Sequence, residues 1–252
     1  MQLGCVTYNV LQDLDVEAII GLLEKTGFAA VELRTGHKHG VEPSIDREAR
    51  ERIKLRFEKS RVRLLSFGTT CEFQSPDPAV RRKNIEMAQS FIQLAHDTGA
   101  RAIKVRPNGL PKDASLEQTV RTIAEGLHEV GGLGERWGVE IWMEVHGGTT
   151  QNPPVAASIL KAANHRNVGA CWNSNPTDVV DKSVKASFDL LGPYIRNCHI
   201  NELVSGYPYR EFFGLLNKAG YQGYTLCECA ETPQAERFLR YYRGLWTELA
   251  RG

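Results

Sequence analysis

Residues 139–148 read Val-Glu-Ile-Trp-Met-Glu-Val-His-Gly-Gly, and the alternation inside that stretch decides the fold. Successive side chains of a strand face opposite ways, so Ile141, Met143 and Val145 share one face while Trp142, Glu144 and His146 share the other. The same split recurs along the chain. Val31 and Leu33 oppose Glu32 and Arg34, and Ile103 and Val105 oppose Lys104 and Arg106. Trp172 opposes Asn173, Cys198 and Ile200 oppose His199 and Asn201, and Cys227 and Cys229 oppose Glu228. In a closed barrel the apolar set faces the surrounding helices and the polar set faces the axis. It gathers there at the C-terminal ends of the strands, where barrel enzymes keep their active sites.

Working outward, such strands recur near residues 3–9, 29–34, 63–70, 102–106, 139–146, 168–173, 195–201 and 224–229, with helical patterns filling the gaps. Asp15 caps a helix whose Val16, Ile19, Ile20 and Leu23 form an apolar face, and Gly27 stops it. Ser115-Leu-Glu-Gln118 reads as a capping box. Residues 85–99 and 233–249 carry apolar side chains at helical spacing. Eight βα units without a linker predict an α/β fold, a single-domain (β/α)8 TIM barrel over residues 1–252, with an open doubly wound sheet as the runner-up. The run Gly131-Gly132-Leu133-Gly134 ends a helical stretch, whereas a phosphate cradle follows a strand and opens a helix, so it is set aside.

Composition narrows the function. The 252 residues carry 31 Lys+Arg against 30 Asp+Glu and are 42% hydrophobic, which fits an ordinary globular chain and argues against a dedicated nucleic-acid binder. No leader and no apolar run near the ~20 residues of a bilayer crossing is evident, so the expectation is a cytoplasmic protein with no membrane partner. The cysteines at 5, 71, 171, 198, 227 and 229 show no CxxC and are expected as free thiols.

The candidate site follows from convergence. Glu144, His146, His199 and Glu228 come from three strands and aim at one axis, and grouped buried carboxylates repel unless a cation neutralises them. Carboxylates, an imidazole and an amide oxygen favour a hard divalent ion, Mn2+, Mg2+, Co2+ or Zn2+. Lys104 and Arg106 serve either as ion-pair partners of those carboxylates or as contacts for an anionic or polyhydroxylated substrate. Asn201 shares the inward face with His199 and is placed with the substrate contacts. His37 and His39 read as a solvated loop, and Trp142 and Trp172 as packing. Tyr207-Pro-Tyr209 and Phe212-Phe213 form either a lid or a subunit contact, the latter allowing a homo-oligomer.

Val31-Glu-Leu33, the stretch 139–148, Val168-Gly-Ala-Cys-Trp-Asn173, Asn197-Cys-His-Ile-Asn201 and Tyr224-Thr-Leu-Cys-Glu228 together resemble the sugar phosphate isomerase/epimerase group of xylose isomerase-like TIM barrels. That resemblance implies a divalent metal held by Glu144, Asn173, His199 and Glu228, with asparagine where the family usually has aspartate. Asp178 is an alternative source of the missing charge. It further implies that Glu144 and Glu228 act as catalytic acid and base across a cis-enediolate of a small carbohydrate, with His146 on a substrate oxygen. The relatives of the fold keep two alternatives open: a metal-dependent dehydratase of a keto-polyol, and a catalytically silent sugar-binding barrel. An apurinic endonuclease is disfavoured, since Thr69-Thr-Cys-Glu72 stands where a histidine is needed.

Overall fold

The computed structural model describes residues 1–251. Eight parallel strands form a closed barrel in the order β1 to β8. They are β1 (Gln2–Val6), β2 (Ala30–Arg34), β3 (Arg63–Glu72), β4 (Ala102–Arg106), β5 (Glu140–Glu144), β6 (Val168–Asn173), β7 (Ile195–Ile200) and β8 (Tyr224–Cys227). Between and after them run α1 (Val16–Thr26), α2 (Arg47–Glu58), α3 (Pro78–Thr98), α4 (Leu116–Trp137), α5 (Pro153–Ala163), α6 (Lys185–Leu191), α7 (Tyr209–Lys218) and α8 (Ala235–Ala250). Closure comes from β1 pairing with β8, Gln2 opposite Tyr224 and Cys5 opposite Cys227.

Local chemistry sets the helix ends. Asp15 accepts from the Ala18 amide, and Gly27 ends α1 in the left-handed conformation. Ser115 and Gln118 form a reciprocal capping box at α4, satisfying two amides that otherwise lack partners. Strands β4 and β6 match the expected bounds, whereas β1, β5 and β8 end two or three residues early, as the chain peels away into the loops of the C-terminal face. All six cysteines are free and buried.

The strand alternation produces two cores. Val31, Leu33, Ile103, Val105, Ile141, Met143, Trp172, Cys198 and Ile200 belong to the layer between strands and helices. A second, smaller cluster fills the barrel itself: Val6, Ala30, Leu65, Ala102, Trp142, Cys171 and Leu226. Five of these sit two residues before Glu32, Lys104, Glu144, Asn173 and Glu228. An apolar plug therefore closes the axis one pleat below a polar layer. No helix among the described residues is long and apolar enough to cross a membrane.

Candidate active site

The polar layer is a compact charge cluster. Lys104 Nζ donates to Glu144 Oε2 at 2.6 Å, with both side chains buried. His199, fully buried, presents Nε2 to Glu32 Oε1 at 3.3 Å and Nδ1 to Glu144 Oε1 at 3.5 Å and Glu228 Oε2 at 3.4 Å. Glu32 is held in turn by Ser66 Oγ at 2.7 Å. Glu228 lies just past β8, and its amide bonds the Ile200 carbonyl, extending the ladder far enough to fix its side chain over the axis.

Burial penalises every charge here, and the contacts overcome it. Burial alone pushes the Glu144 and Glu32 carboxyls upward. Lys104 and His199 outweigh it for Glu144, and His199, Lys104 and Ser66 for Glu32, so both pKa values lie below the usual carboxylate value. Burial lowers Lys104, but Glu144, Glu32 and Glu228 leave its pKa raised. His199 follows the same logic: Cys171, Glu228 and Glu32 carry it well above the ordinary imidazole value despite desolvation.

The donor set fits a divalent cation. Among the described residues neither ring nitrogen of His199 has a hydrogen-bond partner, a costly state for a fully buried imidazole. Ligand atoms about 2.1 Å from an ion at a tetrahedral angle lie about 3.4 Å apart, matching the spacing of Nδ1 from the two carboxylates. Glu144, His199 and Glu228 bring their donor atoms within 4.8 Å of one another. Glu32 lies 3.3 Å from Nε2, on the ring edge away from the two other carboxylates, the position taken by carboxylates behind metal-ligating histidines. Asn173 is paired in register with His199. It is buried, its carbonyl accepts from Asn175, and its side chain makes no hydrogen bond among the described residues.

Other expected residues lie elsewhere. Asp178 stays outside the cluster: its Oδ2 accepts from the Asn175 amide and the Tyr207 hydroxyl, and burial raises its carboxyl to about 7. Arg106 pairs with Glu72 Oε1 at 2.7 Å, which also accepts from Asn108 Nδ2 at 2.7 Å, while Arg106 Nε is buried without a partner. His146 lies in the loop after β5, its Nδ1 likewise buried and unpartnered. Gly147 turns the chain there at φ 83°; a Cβ would lie 2.5 Å from Asn108 Cα, so only glycine brings the β4 and β5 loops together. Asn201 donates to the Ser174 carbonyl at 3.0 Å.

Several expectations need correction. The His37–His39 loop is ordered: His37 Nδ1 meets Thr7 Oγ1 at 2.9 Å, and His39 Nε2 meets the Arg34 carbonyl at 2.9 Å. Burial holds both rings below the ordinary imidazole value. Tyr209, Phe212 and Phe213 are at most 2% exposed and form neither lid nor subunit contact. Phe212 stacks on Trp172 at 4.7 Å between ring centroids, and Tyr207 receives the Trp172 indole N–H at 3.0 Å. Glu32 and Glu72 were assigned no role from the sequence. For Glu32 the signal was present, since strand parity already turned it toward the axis.

The family model for xylose isomerase-like TIM barrels matches residues 20–244. No curated protein matches the chain in sequence. Among solved structures, L-ribulose 3-epimerase is similar at TM-score 0.83 and 16% identity, covering 99% of this chain and 95% of that one. The IolI protein with a bound zinc atom aligns at TM-score 0.82 and 16% identity, covering 99% and 98%. D-psicose 3-epimerase with D-tagatose from Clostridium cellulolyticum H10 aligns at TM-score 0.78 and 17% identity, covering 100% and 96%.

Proposed function

We propose, since the chain belongs to the xylose isomerase-like TIM barrel family, that it is a divalent-metal-dependent isomerase or epimerase of a sugar or keto-polyol. The observation that carries this reading is the unpartnered Nδ1 of buried His199, 3.4 Å and 3.5 Å from two carboxylates at the open end of the barrel. Glu144, His199 and Glu228 would hold the ion, Asn173 adding an amide oxygen. Zinc in one similarly folded protein and a sugar in another support the assignment.

When bound, such an ion supplies Lewis acidity to a ketose carbonyl, acidifying the neighbouring C–H. Glu228, its side chain 21% exposed, faces the open end and takes the proton. Glu144 completes the transfer on the other side of a cis-enediolate. Which carbon is reprotonated separates isomerisation from epimerisation, and loss of a β-hydroxyl from the same intermediate gives the dehydratase alternative. Arg106, His146 and Asn201, each half-buried at the C-terminal ends of β4, β5 and β7, are suited to substrate hydroxyls. With Lys104 engaged by Glu144 and Arg106 by Glu72, both cations are already compensated. That favours an uncharged sugar over a phosphorylated one.

The test is a screen of ketoses and keto-polyols with Mn2+, Co2+, Mg2+ or Zn2+, using Glu228→Gln as the control. Turnover in the wild type should vanish in the variant, by a factor of about 10² or more, with the circular dichroism unchanged. Activity retained in Glu228→Gln overturns the mechanism. Sugar binding without turnover instead supports the silent barrel, which the uncharged Asn173 favours.

A further inference from the structure

The proposed chemistry treats Glu144 and Glu228 as a pair, but the barrel holds them differently. Oε2 of Glu144 is taken by Lys104 Nζ at 2.6 Å, with side chains 4% and 6% exposed. Oε1 of the same carboxylate faces His199 Nδ1. Glu228 has no lysine or arginine within ion-pair distance among the described residues; its one titratable neighbour there is the His199 ring. Lys104 is opposite Trp142 in the ladder, one pleat below Glu144, so its side chain rises along the axis to reach the carboxylate from beneath. Burying an ammonium is costly unless its contacts are specific, and among the described residues Lys104 Nζ donates one hydrogen bond, to one oxygen of one glutamate.

We propose that Lys104 is a positioning residue that keeps Oε2 of Glu144 from a bound divalent cation, limiting Glu144 to one ligand oxygen and loosening the site's grip on the ion. The inference rests on the metal site of the proposed function. Its consequence for that function is direct. A catalytic metal site must leave positions for substrate, and a keto-sugar brings two neighbouring oxygens. A second oxygen from Glu144 would compete for one of those positions, and a lysine beside the carboxylate prevents that without removing the ligand.

Calorimetric titration of chelator-stripped protein with Mn2+ tests this. Wild type is compared with Lys104→Met and Lys104→Gln, and each change is repeated in a Glu144→Gln background, with circular dichroism to establish folding. Lys104→Met should bind Mn2+ more tightly, on the order of tenfold, since a positive charge beside a divalent ion is lost and a ligand oxygen is released. Lys104→Gln, which can still donate to Oε2, should gain less, and it carries the test if the methionine variant does not fold. Both gains should shrink when Glu144 is glutamine, since only the relief of charge repulsion then remains. Unchanged or weaker affinity in the folded variants overturns the proposal, as does a gain of undiminished size in the Glu144→Gln background. The two readings fail separately: wild type that binds no Mn2+ while Lys104→Met does removes the metal-enzyme reading and keeps this one. Binding in the wild type with no response to Lys104 does the reverse, and no binding in either removes both.

Discussion

Asn173 lies in β6 beside His199 of β7, where the resemblance calls for a carboxylate. An amide oxygen ligates hard cations but adds no charge to offset the ion. Asn173→Asp should therefore tighten Mn2+ binding by about tenfold or more, since a full negative charge a few ångströms from a divalent ion is worth well over 1.4 kcal/mol even at an effective dielectric of about 20. Titration calorimetry reads this directly, and unchanged affinity would mean that residue 173 does not face the ion. The sequence exposed this position because parity along one strand says which side chains face inward. It left open whether Lys104 pairs with one of the carboxylates or meets substrate, and it could not reveal that Glu144 is the partner or that Glu32 backs His199. Those contacts depend on strand stagger around the axis, which places Lys104 level with Trp142 and brings β2 within reach of β7.

At the scale of one element, α4 explains the glycines that imitate a phosphate cradle. Gly131 and Gly134 are the points where the helix touches the sheet: a Cβ on Gly131 would lie 2.8 Å from Val168 Cγ2, and one on Gly134 would strike the Val139 carbonyl oxygen. Gly132 has no atom closer than His165 Nε2, at 3.9 Å from its would-be Cβ. Two neighbouring Gly→Ala changes should therefore have opposite signs. Gly134→Ala should destabilise by about 2–3 kcal/mol, because a backbone oxygen cannot rotate away. Gly132→Ala should stabilise by about 0.5–1 kcal/mol through helix propensity. Urea unfolding of the two variants checks both signs, and a neutral Gly134→Ala would show that α4 can move off the sheet. The sequence placed these glycines in a helix correctly, since helical periodicity is local. Their purpose was hidden because it depends on where β5 and β6 lie beneath the helix. The aromatic face of α7 failed for the same reason: Tyr209, Phe212 and Phe213 pack inward, which composition cannot distinguish from an exposed patch.

For the whole molecule, eight local βα repeats were readable one at a time, whereas closure through Cys5 opposite Cys227 is a contact between the two ends of the chain. Closure forces the strands' inward residues together, and the polar layer then holds three carboxylates, Glu32, Glu144 and Glu228, against Lys104 and His199. Folding the apo chain gathers these carboxylates, so a cation that binds only the folded barrel should stabilise all of it. Mn2+ at about a hundred times its dissociation constant contributes about 2.7 kcal/mol, which for a chain of this size raises Tm by about 5–10 °C. Chelation should return Tm to the apo value. In Glu144→Gln/Glu228→Gln the layer loses two negative charges, so apo stability should be less dependent on a cation and the Mn2+ shift should disappear. Differential scanning calorimetry of both proteins, with and without Mn2+, tests the linkage. A shift of equal size in the double variant would place the ion elsewhere, because only a site built from these two glutamates couples barrel closure to the metal.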